Sequence, residues 1–141
     1  EGSWQPVVYL RHQLGPTALW ALYGLADFCL VSSLHDGMNL VAKEYVASRV
    51  NNDGVLILSK FAGAATELLE AMQVNPYDIG GMADTILEAL EMPQEEQNWR
   101  MQRLRSRVEE DDIYRWARRV LSEFSRLDVP SVHPLDTTSR S

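Results

Sequence analysis

Several features that mark particular protein classes are missing from this sequence. It has one cysteine, Cys29, among 141 residues, so no internal disulfide can form. No apolar run approaches the ~18 uncharged residues that a membrane-spanning helix needs. The Cys, His and acidic residues show no zinc or calcium spacing. These absences predict a cytoplasmic protein without a membrane span, a bound metal ion or a cofactor.

Positive charge is also scarce in most of the chain. The net charge is −7, and residues 1–98 carry four basic and thirteen acidic side chains, against nine and seven in residues 99–141. Nucleic-acid binding would need a basic stripe, so no nucleic-acid partner is expected. A small anionic ligand can still be held locally by backbone N–H groups.

Apolar runs and helical periodicities alternate along the chain. The predicted strands cover residues 7–10, 28–32, 55–58 and 73–75, and the predicted helices cover residues 18–26, 38–50, 64–71 and 79–90. This alternation indicates an α/β fold, a partial Rossmann-like parallel sheet of about four strands flanked by helices. The apolar run at 28–32 is typical of a strand buried on both faces, which would place Cys29 in the core.

The remaining pattern predicts how the helices begin and how the chain ends. Thr17 is the expected N-cap of the first helix. A charged helix at 94–108 places Arg100, Arg103 and Arg107 on one face, which we expect to be solvated. A last helix is predicted at 113–127, followed by a polar tail at 128–141 that has little to bury and should be disordered. The predicted domain therefore spans residues 1–127.

Two strand–helix loops have the position and composition of a ligand site. Parallel sheets bind ligands beyond the carboxyl ends of their strands, and the loops at 32–39 and 59–65 follow two such ends. Gly37 permits close backbone approach, and the helix that follows offers free N–H groups to a phosphate. From spacing alone, Asp36 and Glu44 are better interpreted as an N-cap and a surface acid. The alternative is two acceptors for sugar hydroxyls on either side of a phosphate, the layout of a nucleotide sugar.

Longer motifs make the sequence recognisable. The segments DGMNLVAKEYVA at 36–47, GVLILS at 54–59, FAGAA at 61–65 and VNPYD at 74–78 closely resemble the trehalose-6-phosphate synthases of glycosyltransferase family 20. The resemblance extends over roughly residues 4–127. It implies the C-terminal half of a two-domain GT-B fold and a retaining glucosyltransferase. The abrupt start at Glu1 then fits a fragment without the N-terminal acceptor domain and without the basic residues that neutralise the donor diphosphate.

The resemblance also implies roles for individual residues. Asp36 would be the catalytic-site group that holds hydroxyls of the transferred glucose, and Glu44 would bind the ribose hydroxyls. Backbone contacts would be made to uracil near Leu14, to the sugar at Gly37, Met38 and Asn39, and to the diphosphate at Leu40 and Val41. Lys43 is expected to face solvent. The implied mechanism needs no metal ion, and no Asp-x-Asp motif occurs in the sequence.

The implied function is donor binding in an enzyme that transfers glucose from UDP-glucose, or another nucleotide-glucose, to glucose 6-phosphate, giving trehalose 6-phosphate. The sugar-phosphate acceptor would bind the missing N-terminal domain, so this chain alone should be inactive. Two alternatives stay open: a glucosylglycerol-phosphate synthase of the same family, and a non-catalytic nucleotide-binding or interaction module. A homo-oligomer is also left open.

Overall fold

A computed structural model describes residues 4–110 of the chain. The strands are β1 (Phe28–Val31), β2 (Val55–Ser59) and β3 (Met72–Val74). The helices are α1 (Pro16–Leu25), α2 (Leu40–Ser48), α3 (Ile79–Glu91) and α4 (Gln94–Glu110), and a 3₁₀ helix covers Gly63–Thr66. The chain divides into two units, residues 1–109 and 110–141, and these elements belong to the first apart from the last residue of α4.

The three strands form one parallel sheet in the order β1-β2-β3. Val31 pairs with Leu58 and Ser59 pairs with Val74, so the carboxyl ends of all three strands lie at one edge of the sheet. The central strand β2 is buried along its whole length. This confirms the predicted α/β architecture with a parallel sheet between helices.

Alternate side chains of β2 belong to two different hydrophobic clusters. One cluster joins β2 to α2 and α4, and its largest members are Tyr45, Leu56, Leu58, Leu68, Met101 and Leu104. The other joins β2 and β3 to α3, and its members are Val55, Ile57, Met72, Val74, Ala89 and Met92. Successive residues of a strand point to opposite faces, so β2 divides its apolar side chains between the two helical layers. Fully burying each large apolar side chain contributes about 1.5–3 kcal/mol.

The predicted first strand at 7–10 is wrong. These residues have no regular secondary structure, and the exposed fractions of the Val7, Val8 and Tyr9 side chains are 76%, 71% and 79%. A β-branched run becomes a strand only when a neighbouring backbone pairs with it, because an isolated strand leaves its N–H and C=O groups unpaired. The described sheet therefore has three strands rather than about four.

Three local predictions also need correction. The helix expected at 64–71 is a single 3₁₀ turn. Helix α1 begins at Pro16, with Gly15 rather than Thr17 at the N-cap position, because proline is suited to the first helical turn. Strand β1 is not buried on both faces: Leu30 is 43% exposed, because α3, which covers that face of the sheet, packs mainly against β2 and β3.

Helix α4 is anchored more firmly than a solvated helix would be. Met101 and Leu104 are buried in the core, and Arg107 makes a two-pronged ion pair with Glu70 at 2.9 Å for each bond. Arg100 also donates to the backbone carbonyl of Glu70 at 3.2 Å. The expectation of a fully solvated arginine face was therefore wrong for these two arginines.

The predicted helix at 113–127 and the polar tail at 128–141 lie outside the described residues, so the domain end at residue 127 stays a prediction. Among residues 4–110, no helix combines the length and the apolarity that crossing a membrane requires.

Candidate functional site

Two loops meet at the carboxyl edge of the sheet. The loop after β1 and the loop after β2 form a parallel bridge between Asp36 and Ala62. The Gly63 N–H donates to the carbonyl oxygen of Asp36, with 2.7 Å between nitrogen and oxygen. Both loops were predicted to lie at this edge. The backbone contacts between Asp36 and residues 62–63 connect them directly.

Gly63 allows this contact because it has no side chain. A Cβ atom built on Gly63 would lie 2.1 Å from the carbonyl oxygen of Gly37 and 2.7 Å from its carbonyl carbon. A Cβ built on Gly37 would meet nothing within 4 Å among the described residues. The glycine that close packing requires is thus Gly63, whereas Gly37 borders open space beside the loop.

The Asp36 carboxylate organises the first loop. Its Oδ1 accepts from the backbone N–H groups of Met38 (3.1 Å) and Asn39 (2.9 Å), and its Oδ2 accepts from the Asn39 side-chain amide (2.8 Å). The bond from Met38 is the main cause that holds the pKa of Asp36 below its ordinary value. A carboxylate offers about four acceptor positions. Three are used within the loop, and the fourth, on Oδ2, can accept from a ligand hydroxyl.

Asn39, not Asp36, is the N-cap of α2. Its backbone is left-handed (φ 62°), and its side-chain oxygen accepts from the Ala42 N–H at 2.9 Å. Helix α2 consequently begins at Leu40, two residues later than the predicted start at residue 38. The capping interpretation of Asp36 was wrong in this respect, because Asp36 supports the turn that precedes the cap.

The exposed side of the α2 N-terminus carries the remaining predicted groups. The first N–H groups of a helix have no intrahelical partner, so those of Leu40 and Val41 are available at the helix start. Leu40 is 58% exposed and Val41 is 45% exposed. Glu44 lies one helical turn beyond Leu40, on the same side of the helix, and is also exposed. The structure thus brings Asp36, the helix start and Glu44 into one stretch of surface.

Lys43 does not face solvent freely, as the sequence had suggested. Its Nζ lies 2.5 Å from Oε2 of Glu67, and the two side chains are only 21% and 36% exposed. Glu67 follows the 3₁₀ turn that begins at Gly63. The ion pair therefore ties α2 to the second loop, next to the backbone bridge.

Sequence reasoning missed the contacts that hold α1 against α2. The buried Arg49 side chain donates to the carbonyl oxygens of Tyr23 (3.0 Å) and Gly24 (2.7 Å) and pairs with Asp53 at 2.8 Å. The Tyr45 hydroxyl lies 3.2 Å from the carbonyl oxygen of Ala26. An arginine with a carboxylate four residues later looks like an ordinary surface pair, so the sequence carried no signal for this anchor.

The anchored end of α1 brings one more side chain to the site. The Tyr23 hydroxyl donates to Oε2 of Glu44 at 3.4 Å, and its ring packs edge-on against Tyr45 with 6.3 Å between centroids. Burial, followed by the charge of Glu44, raises the pKa of Tyr23 above its ordinary value. Tyr23 is therefore a protonated hydrogen-bond donor to Glu44 at neutral pH.

Other predicted residues lie around this cluster. Leu14 lies in the segment before α1 and is half-buried, and its contact with uracil stays a prediction. Met38 is 48% exposed at the loop. Cys29 packs beside the core, and burial raises the pKa of its thiol to about 11, as befits the core role predicted for it. Within residues 4–110, no group of three or more His, Cys, Asp or Glu side chains could hold a metal ion.

Known proteins resemble this chain over most of its length. The family model for glycosyltransferase family 20 matches residues 1–126. A bifunctional trehalose-6-phosphate synthase/phosphatase of Thermoproteus tenax is 49% identical over 116 residues, covering 82% of this chain and 16% of that protein. A glucosylglycerol-phosphate synthase of Synechocystis is 43% identical over 121 residues, covering 86% of this chain and 24% of that protein.

Solved structures agree in fold as well as in sequence. A UDP-forming alpha,alpha-trehalose-phosphate synthase from Burkholderia xenovorans in complex with glucose-6-phosphate is 40% identical, with a TM-score of 0.82 over 89% of this chain. A structure from E. coli, described as trehalose-6-phosphate bound with UDP-2-fluoro glucose, is 39% identical, with a TM-score of 0.82 over 90% of this chain. This chain covers 28% of each of those chains.

The chain therefore spans 16–28% of the length of these four proteins. The family-model match over residues 1–126 includes β1 to α4, the joined loops and the α2 N-terminus. The chain belongs to glycosyltransferase family 20.

Proposed function

We propose that this chain forms the donor side of the active site in a retaining glucosyltransferase. The donor is UDP-glucose or another nucleotide-glucose, the acceptor is glucose 6-phosphate, and the product is trehalose 6-phosphate. The observation that carries the proposal is the order of groups along one surface: the free acceptor position on Asp36, the N–H groups of Leu40 and Val41, and the Glu44 carboxylate. That order matches hexose, diphosphate and ribose.

Each group has a physical role in this proposal. Asp36 holds a hydroxyl of the transferred glucose, and the loop backbone from Gly37 to Asn39 lies against the sugar. The helix start receives the diphosphate, because its N–H groups and the helix dipole both favour negative charge. Glu44 accepts from the ribose hydroxyls. Leu14, before α1, lies near the base.

The same arrangement supports the chemical step. Glucosyl transfer with retention passes through a sugar with oxocarbenium character while negative charge grows on the departing diphosphate. N–H groups fixed at a helix start stabilise that growing charge without reorganisation. Asp36 positions the sugar and is not a general base, since its lowered pKa and its hydrogen bonds within the loop keep it an acceptor.

The relatives support the substrates by analogy. The B. xenovorans protein was crystallised with glucose-6-phosphate and the E. coli structure with UDP-2-fluoro glucose. We propose that the acceptor binds a domain outside this chain, that the protein acts in the cytoplasm, and that no nucleic acid takes part. Self-association stays open to measurement by size-exclusion chromatography.

Donor binding can be tested on the 141-residue chain by NMR. UDP and UDP-glucose at millimolar concentration should shift the backbone amides of residues 36–44, and UDP-glucose alone should add shifts at Gly37 and Met38. ADP-glucose tests the preference for the base. A titration in which none of these amides moves would contradict the proposal.

A second candidate function is glucosylglycerol-phosphate synthesis, which the Synechocystis relative favours. The donor site would be the same, because only the acceptor differs. The complete protein that carries this chain should be assayed with UDP-glucose and either glucose 6-phosphate or glycerol 3-phosphate. Transfer to glycerol 3-phosphate alone would replace the first candidate. Donor binding with no transfer to any acceptor would favour a non-catalytic module.

A further inference from the structure

Tyr23 lies on α1, whereas Asp36 lies in the loop after β1 and Glu44 lies on α2. It lies near the end of α1, twenty-one positions before Glu44, and its hydroxyl donates to Oε2 of Glu44. Resting on the proposed function, we propose that Tyr23 is a positioning residue that orients the Glu44 carboxylate toward the ribose of the nucleotide. It would thereby strengthen the preference for a ribonucleotide donor.

Tyr23 is held in place by its backbone and its ring. Arg49, which is 5% exposed, donates to the carbonyl oxygens of Tyr23 at 3.0 Å and of Gly24 at 2.7 Å. The Tyr23 ring packs edge-on against Tyr45, which is fully buried. These contacts hold the Tyr23 ring in a fixed position, and removing the hydroxyl leaves them in place.

Glu44 has less support of its own. It is exposed on α2, and an exposed glutamate samples several rotamers, each of which places the carboxylate differently. A hydrogen bond to Oε2 restricts these rotamers and leaves Oε1 free for a ligand. The bond is long at 3.4 Å, compared with about 2.5–3.0 Å for a strong O–H···O bond. We therefore expect a modest effect from removing it.

The charge balance also suits this role. A phenol donates a hydrogen bond to Glu44 without neutralising it, so the carboxylate keeps its full charge for the ribose hydroxyls. A lysine or arginine at position 23 would compete with the ligand as a strong ionic partner. The neutral donor orients the acceptor and weakens it less than a cation would.

The test measures nucleotide affinity of the 141-residue chain by NMR titration. The probes are UDP and 2′,3′-dideoxyuridine 5′-diphosphate, which lacks both ribose hydroxyls. Tyr23→Phe should raise the Kd for UDP about twofold to fivefold and leave the Kd for the dideoxy probe unchanged. Tyr9→Phe is the matched control, since Tyr9 is 79% exposed and its hydroxyl bonds to neither Asp36 nor Glu44. It should change neither Kd.

A double-mutant cycle with Glu44→Ala isolates the coupling, because alanine removes the acceptor of the Tyr23 hydroxyl. In the Glu44→Ala background, Tyr23→Phe should have no further effect on UDP binding. An equal loss of affinity for both probes would show a structural role, and tighter UDP binding by Tyr23→Phe would show that the phenol competes with the ribose. Unchanged UDP binding would also overturn the proposal.

The proposed function can fail separately. If UDP leaves the amides of residues 36–44 unshifted in the unmodified chain, the donor site itself is wrong and the role of Tyr23 falls with it. If UDP binds there and Tyr23→Phe binds equally well, only the role of Tyr23 is wrong.

Discussion

At the scale of single residues, Asp36 has two tasks that one side chain must perform together. It accepts three hydrogen bonds that shape its own loop, and it offers the remaining acceptor position to the proposed sugar. The lowered pKa follows from the first task, because hydrogen bonds to a carboxylate favour its charged form. A substitution at Asp36 therefore changes both loop shape and sugar contact, and an experiment has to separate them.

Asp36→Asn and Asp36→Ala make that separation in the complete enzyme. The asparagine keeps one oxygen for the Met38 and Asn39 N–H groups, while the alanine keeps neither contact. Both variants should lower kcat by about one to two decades, because a contact with the reacting sugar is lost in the transition state. Only Asp36→Ala should also lower Tm clearly. Wild-type kcat in a folded Asp36→Asn enzyme would contradict the sugar contact.

Glu44 should behave differently because the ribose does not change during the reaction. Uniform binding affects KM more than kcat. Glu44→Gln in the complete enzyme should raise the KM for UDP-glucose about tenfold and change kcat much less. Steady-state kinetics with saturating acceptor provides the measurement. A loss confined to kcat would place Glu44 near the reacting centre rather than at the ribose.

At the scale of elements, the two loops behave as one unit through the contact at Gly63. Gly63→Ala would drive a Cβ into the Gly37 carbonyl group, and backbone cannot move aside as a flexible side chain can. We expect a loss of about 1–3 kcal/mol in the free energy of unfolding and weaker donor binding, since Asp36 lies in the displaced loop. Chemical denaturation and UDP titration measure the two effects.

Gly80→Ala is the matched control for this prediction. Gly80 lies in the first turn of α3, where the nearest atom to an added Cβ is 3.7 Å away. Alanine favours a helix over glycine, so this variant should be neutral or slightly more stable. If Gly63→Ala matched Gly80→Ala in stability and in UDP affinity, the two loops would not depend on their close approach.

Helix α4 is tied to the loop before β3 by the pair of Arg107 and Glu70. The hydrogen bonds from Arg107 are the main cause that lowers the pKa of Glu70 below its ordinary value of 4.5. A lowered pKa in the folded state means that the carboxylate stabilises the fold above pH 4.5, and that this contribution is lost as the pH falls through the lowered value. Arg107 is 42% exposed, so solvent screens the pair.

Glu70→Gln should therefore lower the free energy of unfolding by about 0.5–1 kcal/mol at pH 7, or Tm by about 2–5 °C. At pH 3 the difference from the unmodified chain should shrink. Glu88→Gln, at an exposed position on α3, should show no such dependence. Thermal melting at both pH values tests this, and a difference that grew at pH 3 would contradict the sign.

At the scale of the whole molecule, the proposed function requires more than this chain. The chain spans 16–28% of the length of the four proteins compared above, and Leu40 and Val41 of the proposed donor site are exposed at the surface. Glycosyl transfer requires donor and acceptor to be held together, which contributes much of the rate. We expect the purified 141-residue chain to show no glucosyl transfer to glucose 6-phosphate. Turnover by this chain without a complementing fragment would contradict the prediction.

Some of this protein was determined by its sequence alone. From residue 28 to residue 91, the order of strands and longer helices follows from local periodicity, and the apolar run at 55–58 is the buried central strand that its composition predicts. The similar run at 28–32 became an edge strand with Leu30 exposed, so composition alone did not decide which run is central. The motif from Asp36 to Glu44 is specific enough to indicate the family from the sequence. Its groups are close in sequence, so the start of one helix brings them to the same side of the molecule.

The tertiary structure decided what depends on partners distant in sequence. The contact of Gly63 with Gly37, the bond of Tyr23 to Glu44 and the anchor from Arg49 to the end of α1 join residues that local patterns cannot relate. Residues 7–10 show the same point in reverse, since their strand-like composition forms no strand where no neighbouring backbone pairs with them. Local propensity selects a conformation weakly, whereas packing and backbone pairing add many contacts at once and therefore decide the outcome.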